Sequence, residues 1–239
     1  RGDLTVTSAA AISQSAAVTV SGTSNFTSTG SNSNITLSTD SNALTGAVSA
    51  ATAGSSGNVT IDNGTTALIL GTLTVNGDLS IRGGNGITDS GVITVSGTSL
   101  FNSDVSGQVI TLDSVNAMTG AVSITHTGSA NVAIDNGTTA LNLGTVGVGQ
   151  NFSATSGGGI TDSGVITVAG TATFVTDVND IDIVLDSNNV ITGALTFTTQ
   201  TGGSNGADIT FDNGSTAISL AAFTTEGDLT LSTDATIAL

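Results

Sequence analysis

The chain has 239 residues, only 8% of them charged, and its two Arg and 18 acidic residues give a formal net charge of −16. Without Lys and with so little Arg it cannot neutralise phosphates, so nucleic acid is excluded as a partner, as is electrostatic docking on anionic lipid. Cys, Pro, Trp and Tyr are absent, which removes disulfide scaffolds and thiol chemistry.

Hydrophobic residues make up 38%, too many for a solvated coil. No apolar run approaches the roughly 18 residues that span a membrane, so membrane insertion is not expected. Helix formers such as Lys, Glu and Gln are scarce, while β-branched Val, Ile and Thr abound, which favours strands. Arg1 opens in mid-pattern without a leader, which reads as a mature or excised segment.

In chain order, Leu4-Thr5-Val6, Val18-Thr19-Val20, Ile35-Thr36-Leu37, Val59-Thr60-Ile61 and Leu73-Thr74-Val75 each set two aliphatics on one face and Thr on the other. Leu68-Ile69-Leu70 is the wholly apolar variant. Each predicts a short strand with an inward aliphatic pair. Turn clusters separate them: Ser21-Gly22-Thr23-Ser24, Thr29-Gly30-Ser31-Asn32, Gly54-Ser55-Ser56-Gly57 and Asp62-Asn63-Gly64. Gly and Asn supply the sharp corners.

The order then repeats. Gly77 to Phe101 restates Gly2 to Phe26, Gln150 to Phe174 restates it again, and a truncated copy starts at Gly227. The units are 2–76, 77–149, 150–226 and a partial 227–239. No composition break separates them, so 1–239 reads as a single continuous segment. A sandwich has no reason to restate its sequence, whereas in a solenoid every coil sits in its neighbours' environment. The expectation is an all-β, right-handed parallel β-helix (β-solenoid) with roughly three coils of about 25 residues per unit and a rod about 45 Å long. Absence of Pro suits strands that donate to ladders on both sides. The seven Phe (Phe26, Phe101, Phe152, Phe174, Phe197, Phe211 and Phe223) are expected in the core. Copies of an acid would fall on every third coil, beyond the roughly 8 Å screening length at physiological salt.

The phrases GDLTV, GDLSI, ITDSGVITV, VITLDS, MTGAVSI, NVTIDNGTTALIL and LGTLTV resemble the coil repeats of filamentous-haemagglutinin-like adhesins, bacterial exoproteins secreted through an outer-membrane partner. They run over essentially the whole chain. The resemblance implies a β-helix shaft that is extracellular or on the bacterial cell surface. The family's secretion domain is not in this sequence.

Candidate chemistry is sparse. Arg1-Gly2-Asp3 spells an integrin-binding tripeptide, but the slot reads Asn76-Gly77-Asp78 and Glu226-Gly227-Asp228 elsewhere, so Gly-Asp belongs to the repeat. Asp62-Asn63-Gly64, Asp135-Asn136-Gly137 and Asp212-Asn213-Gly214 read as corners capped by Asx hydrogen bonds. Calcium wants six to eight oxygens. Asp177, Asp180, Asp182 and Asp186 form the densest acidic cluster, the one place where calcium would sit; otherwise no metal or cofactor is expected. Outward threonines do not form the paired ranks of an ice-binding face. His126, the lone imidazole, reads as an incidental surface residue, with Ala51 and Thr199 as its counterparts by rough alignment. Asn25, Asn34, Asn58, Asn63, Asn136, Asn151 and Asn213 lie in Asn-x-Ser/Thr sequons. No nucleophile–base pair, catalytic cleft or phosphate loop is discernible, so the chain is not expected to be an enzyme.

These readings point to the structural shaft of a surface adhesin or extracellular fibre. Its partners would be adjacent segments of the same chain or an end-to-end copy, with a host or neighbouring cell surface beyond. The alternatives are a self-assembling filament or sheath subunit and, third, a glycan-binding or glycan-cleaving β-helix.

Overall fold

The computed structural model describes residues 2–39, 41–126 and 128–239. Every strand pairing is parallel, and the strands form two long sheets of 14 and 13 strands plus a two-stranded pair. The chain passes from one sheet to the other and back, giving a β-solenoid of about 11 turns. At ~4.8 Å per coil the stack rises roughly 50 Å. Among the described residues no helix is long and apolar enough to cross a membrane.

Alternation along each strand builds the core. In the strand Leu79–Arg82, Leu79 and Ile81 are buried and Ser80 and Arg82 turn outward. Stacking aligns these positions from coil to coil. Leu37, Ile61, Ile81, Phe101, Ile124, Val146 and Ile166 form one inward column through seven coils. All are sealed from solvent. Thr36, Thr60, Ser80, Leu100 and Ser123 make the adjacent outward column. Small polar residues suit this exposed pleat, and Leu100 is the apolar exception.

The coils are shorter than the sequence suggests, and their length varies. Leu68 pairs with Ile87 in the coil above, Val59 with Leu79, and Ile183 with Ile209. One unit therefore holds three and a half coils, where the sequence suggests three. The second unit crosses between sheets seven times, through strands beginning at Leu79, Ile87, Ser99, Ile110, Val122, Val132 and Leu141. Its other two strands, Ile93–Val95 and Ala117–Met118, extend passes already counted.

An odd number of passes puts each unit on the opposite face from the last. Leu4–Ser8 and its copy Phe152–Ser156 lie in the first sheet, while the copies Leu79–Arg82 and Leu229–Ser232 lie in the second. The expectation of acids recurring on every third coil of one face is thereby corrected. Single copies alternate between faces and return to the same face after seven coils.

The reversal occurs within the long last strands of the units, Leu68–Val75, Leu141–Val148 and Ile218–Thr224. Each carries one extra residue against the strand below. Val48 pairs with Leu70 and Ala50 with Leu73; Val122 pairs with Leu143 and Ile124 with Val146. This bulge, at Gly71 and Gly144 in the first two units, lets one strand carry the two short strands that follow above it.

One corner of each unit stacks glycines, on alternating faces of the solenoid. A Cβ on Gly46 would stand 2.2 Å from the Gly22 carbonyl oxygen, on Gly120 2.3 Å from that of Gly97, and on Gly193 2.0 Å from that of Gly170. Backbones of successive coils approach here too closely for any side chain. Gly120→Ala is expected to cost about 1–3 kcal/mol in urea unfolding, since a backbone carbonyl must move. Gly147→Ala is the control and should be nearly neutral, because its nearest atom would be 4.0 Å away.

The rings of Phe152 and Phe174 meet edge to face at 5.9 Å, Phe174 and Phe197 stack at 5.6 Å, and Phe197 and Phe211 lie 5.4 Å apart. Six of the seven Phe are buried as expected. Phe223 is the exception, 51% exposed in the strand Ile218–Thr224 near the upper end of the stack.

Candidate functional site: asparagine clasps, acidic corners and one groove

The sequence reads Asp62-Asn63-Gly64 as a corner capped by Asx hydrogen bonds, and the structure divides the work between its two Asx residues. Asp62 Oδ1 accepts the Gly64 N–H at 2.8 Å, and Asp135 and Asp212 do the same for Gly137 and Gly214. These are the expected Asx turns. The asparagine beside each aspartate is fully buried and acts across coils. Asn63 Oδ1 accepts the Leu44 N–H at 2.8 Å, and its Nδ2 donates to the Leu44 and Ala67 carbonyls. Asn136 clasps Met118 in this way and Asn213 clasps Ile191.

A primary amide thus pairs with both backbone groups of one residue in the coil below, satisfying a donor and an acceptor that would otherwise be buried unpaired. Asn42, Asn116 and Asn189 form a second buried set. Their Oδ1 atoms accept N–H groups from Val18, Ile93 and Ile166, each at 2.8 Å. Sequence reasoning missed both sets. The available signal was that the same Asn recurs three times at a turn beside an inward aliphatic.

Other Asx residues climb a corner one coil at a time. Asn34 Oδ1 accepts the Asn58 N–H, Asn58 Oδ1 that of Asp78, and Asp78 Oδ1 that of Thr98, at 2.8–2.9 Å. Further up, Asp182 Oδ1 accepts from Asp208 N–H and Asp208 Oδ1 from Asp228 N–H, both at 2.8 Å. Three aspartates therefore stand in consecutive coils, contrary to the expectation that acids are kept a screening length apart. Each of the lower two is compensated by a backbone N–H of the coil above. Elsewhere Arg82 lies between Asp62 of the coil below (2.5 Å) and Asp104 of the coil above.

The four aspartates named for calcium are not brought together. Asp182 is committed to the ladder. Asp180, at φ 59, accepts the N–H groups of Ser204, Asn205 and Gly206 at 3.0–3.1 Å. The carboxylates of Asp177 and Asp186 have no hydrogen-bond partner among the described residues. No group of three or more potential metal ligands occurs among those residues.

The bonds from Ser204 and Asn205 hold the Asp180 carboxyl below the usual carboxylate range. A depressed folded pKa adds stability above the unfolded value, near 3.9, that is lost as pH falls through the folded pKa. Asn32, also at φ 59, caps Ser55 and Ser56 with its amide oxygen. Asp180→Asn should therefore fold with a slightly lower Tm than the parent at pH 7 and show a smaller drop in Tm between pH 5 and pH 2, the two proteins converging at low pH.

His126 is not a surface residue. It ends the strand Val122–His126 at an inward position and is only 9% exposed. Its structural counterparts are Thr52 and Thr199, not Ala51. Nε2 contacts the Gln108 carbonyl, whereas Nδ1 is buried without a partner among the described residues. Beside it an open groove of about 500 Å³ is lined by Gly147, Gly149, Thr167, Val190 and Thr192. In the first unit Thr74 and Asn76 stand where Gly147 and Gly149 do, and the Asn76 amide donates to the Thr52 carbonyl at 2.6 Å. Two side chains deleted from one unit leave the concavity.

Of the Arg1-Gly2-Asp3 tripeptide, Arg1 lies outside the described residues, and Asp3 Oδ1 accepts the Thr23 N–H at 2.8 Å. Among the sequons, Asn63, Asn136 and Asn213 are buried in clasps, and Asn34, Asn58 and Asn151 hold corner N–H groups. Asn25 stays exposed.

The clasps, corner ladders and stacked cores define a parallel β-solenoid repeat protein. A family model described as "Repeats of unknown function (DUF5649)" matches residues 1–51, 56–125 and 129–198, and the chain belongs to this family. The second and third matches begin about one coil before Gly77 and Gln150. A stack of coils has no privileged start, so the same period can be cut at either point. No curated protein and no solved structure matches the chain.

Proposed function

We propose that the chain is a structural shaft segment, a stiff rod in a bacterial surface adhesin of the filamentous-haemagglutinin-like kind or in an extracellular fibre. The observation that carries this reading is the continuity of the two parallel ladders through about 11 turns, closed at the corners by buried asparagines. Such a stack resists bending because each coil is bonded to the next along the axis. The rod's work is mechanical, projecting a distal element or building a matrix, and it needs no catalysis, cofactor or metal.

Electron microscopy of the native material, combined with antibody labelling of intact cells, tests the proposal. Surface-labelled thin rods of uniform length support the adhesin shaft, and indefinite surface filaments support the fibre. Label confined to the cell interior would sink both.

A ligand-binding reading has one observation in its favour, the groove beside His126. Its Thr hydroxyls and the Val190 methyls could face the mixed polar and apolar surface of a sugar ring. Glycan-array binding that Gly147→Thr abolishes would establish it.

A further inference from the structure

The sequence contains six Asn–Gly pairs, at Asn63, Asn76, Asn85, Asn136, Asn205 and Asn213. Asn–Gly is the pair most prone to deamidation, because glycine leaves the following backbone nitrogen unhindered. That nitrogen attacks the asparagine Cγ, a C–N bond forms, and the side-chain amine leaves as ammonia carrying the backbone amide's proton. One water then opens the cyclic imide to aspartate or isoaspartate.

The fold restrains this nitrogen in five pairs. Gly64, Gly137 and Gly214 donate their N–H to the preceding aspartates at 2.7–2.8 Å, Gly206 to Asp180 at 3.0 Å, and Gly77 to the Gly57 carbonyl at 3.0 Å. In four of the five the asparagine amide is held as well. Asn63, Asn136 and Asn213 are clasped, and Asn76 Nδ2 donates to Thr52.

Asn85 differs on every count. It is exposed in the turn between Leu79–Arg82 and Ile87–Asp89. Neither its side chain nor the Gly86 N–H has a hydrogen-bond partner among the described residues. Gly86 sits at φ 94, and the third unit carries Gly158 where Asn85 stands. We infer that Asn85 is the chain's site of spontaneous deamidation, and that the clasps which build the rod also protect the buried asparagines from the same reaction.

The product is not neutral for the fold. Aspartate adds a charge to an already acidic chain, and isoaspartate inserts one backbone atom at residue 85, two residues before Ile87, which pairs with Leu68 below and Ile110 above.

The test holds the folded protein at mildly alkaline pH and samples it over weeks. Each sample is digested at aspartates, and the products are located by electron-transfer fragmentation, which separates isoaspartate from aspartate. A parallel sample is kept in concentrated urea. In the folded protein Asn85 is expected to convert at least about tenfold faster than Asn63, Asn136 and Asn213, whose reaction waits on local opening. In urea all six convert at comparable rates, and Asn85→Gly leaves the folded chain unmodified at that turn. Conversion of any of the other five as fast as Asn85 in the folded protein would overturn the inference. So would an unchanged Asn85 while the urea sample reacts.

Discussion

Replacing Asn136 by Ala is expected to lower stability by about 3–4 kcal/mol, because each orphaned buried polar group costs about 1–3 kcal/mol. The side chain is fully buried. It accepts the Met118 N–H at 2.8 Å and donates to the Met118, Thr139 and Ala140 carbonyls at 2.9–3.1 Å. Alanine leaves the Met118 N–H facing its own methyl, with no route for water. Asn136→Leu should fare no better, since it fills the volume but pairs with nothing. Asn136→Asp sets a carboxylate against those carbonyls, and burial raises its pKa. Its deficit should be largest at neutral pH and shrink as pH falls and the carboxyl gains a proton it can donate. Urea unfolding gives the size of the loss. Amide exchange localises it, with the Met118 N–H losing protection first.

Phe174→Ala is the second large effect, about 3–5 kcal/mol. The ring is sealed from solvent and held between Phe152 below and Phe197 above. Those aromatic contacts are worth about 0.5–1.5 kcal/mol beyond the area they bury. Phe223→Ala should cost under about 1 kcal/mol, because half of that ring already faces water. The two residues read alike in the sequence, so the ratio of their effects tests the placement of the core directly. Equal losses would mean that Phe223 is packed in solution.

The strands were legible because alternation encodes them. Val59-Thr60-Ile61 announces which side chains turn inward, and stacking only multiplies the pattern. His126 was legible by the same rule, since Val122, Ile124 and His126 alternate inward, but a lone imidazole in a polar sequence reads as a surface residue.

The coil count was harder to read. The length of the repeat gives a period in residues and not in turns, and nine short strands divide evenly into three threes. The true division is seven passes. Ile93–Val95 and Ala117–Met118 add strands without adding turns, and Asn63 and Asn136 supply a coil's pairing from one side chain. The clasps were illegible for a related reason. An asparagine before glycine reads as a turn former, and nothing local to Asp62-Asn63-Gly64 reveals that its amide faces Leu44 in the coil below. The acidic ladder of Asp182, Asp208 and Asp228 was hidden because those positions occupy different slots of the unit and meet only through stacking.

The half-turn between units bears on the proposed shaft. A surface feature that recurs once per unit is shown alternately on two opposite faces, so a long array presents both sides equally to neighbouring rods or cells.

The most direct test measures spin-label distances between single cysteines, which the cysteine-free chain accepts without background. Thr94 and Thr167 are equivalent residues of successive units, and Thr19 is the first unit's copy. Labels at Thr94 and Thr167 should sit on opposite faces, separated by more than their ~17 Å axial rise because the rod's width adds to it; labels at Thr19 and Thr167 should share a face about 34 Å apart. Three whole coils per unit would instead give about 14 Å for the first pair and about 29 Å for the second, and those separations would contradict the half-turn stack.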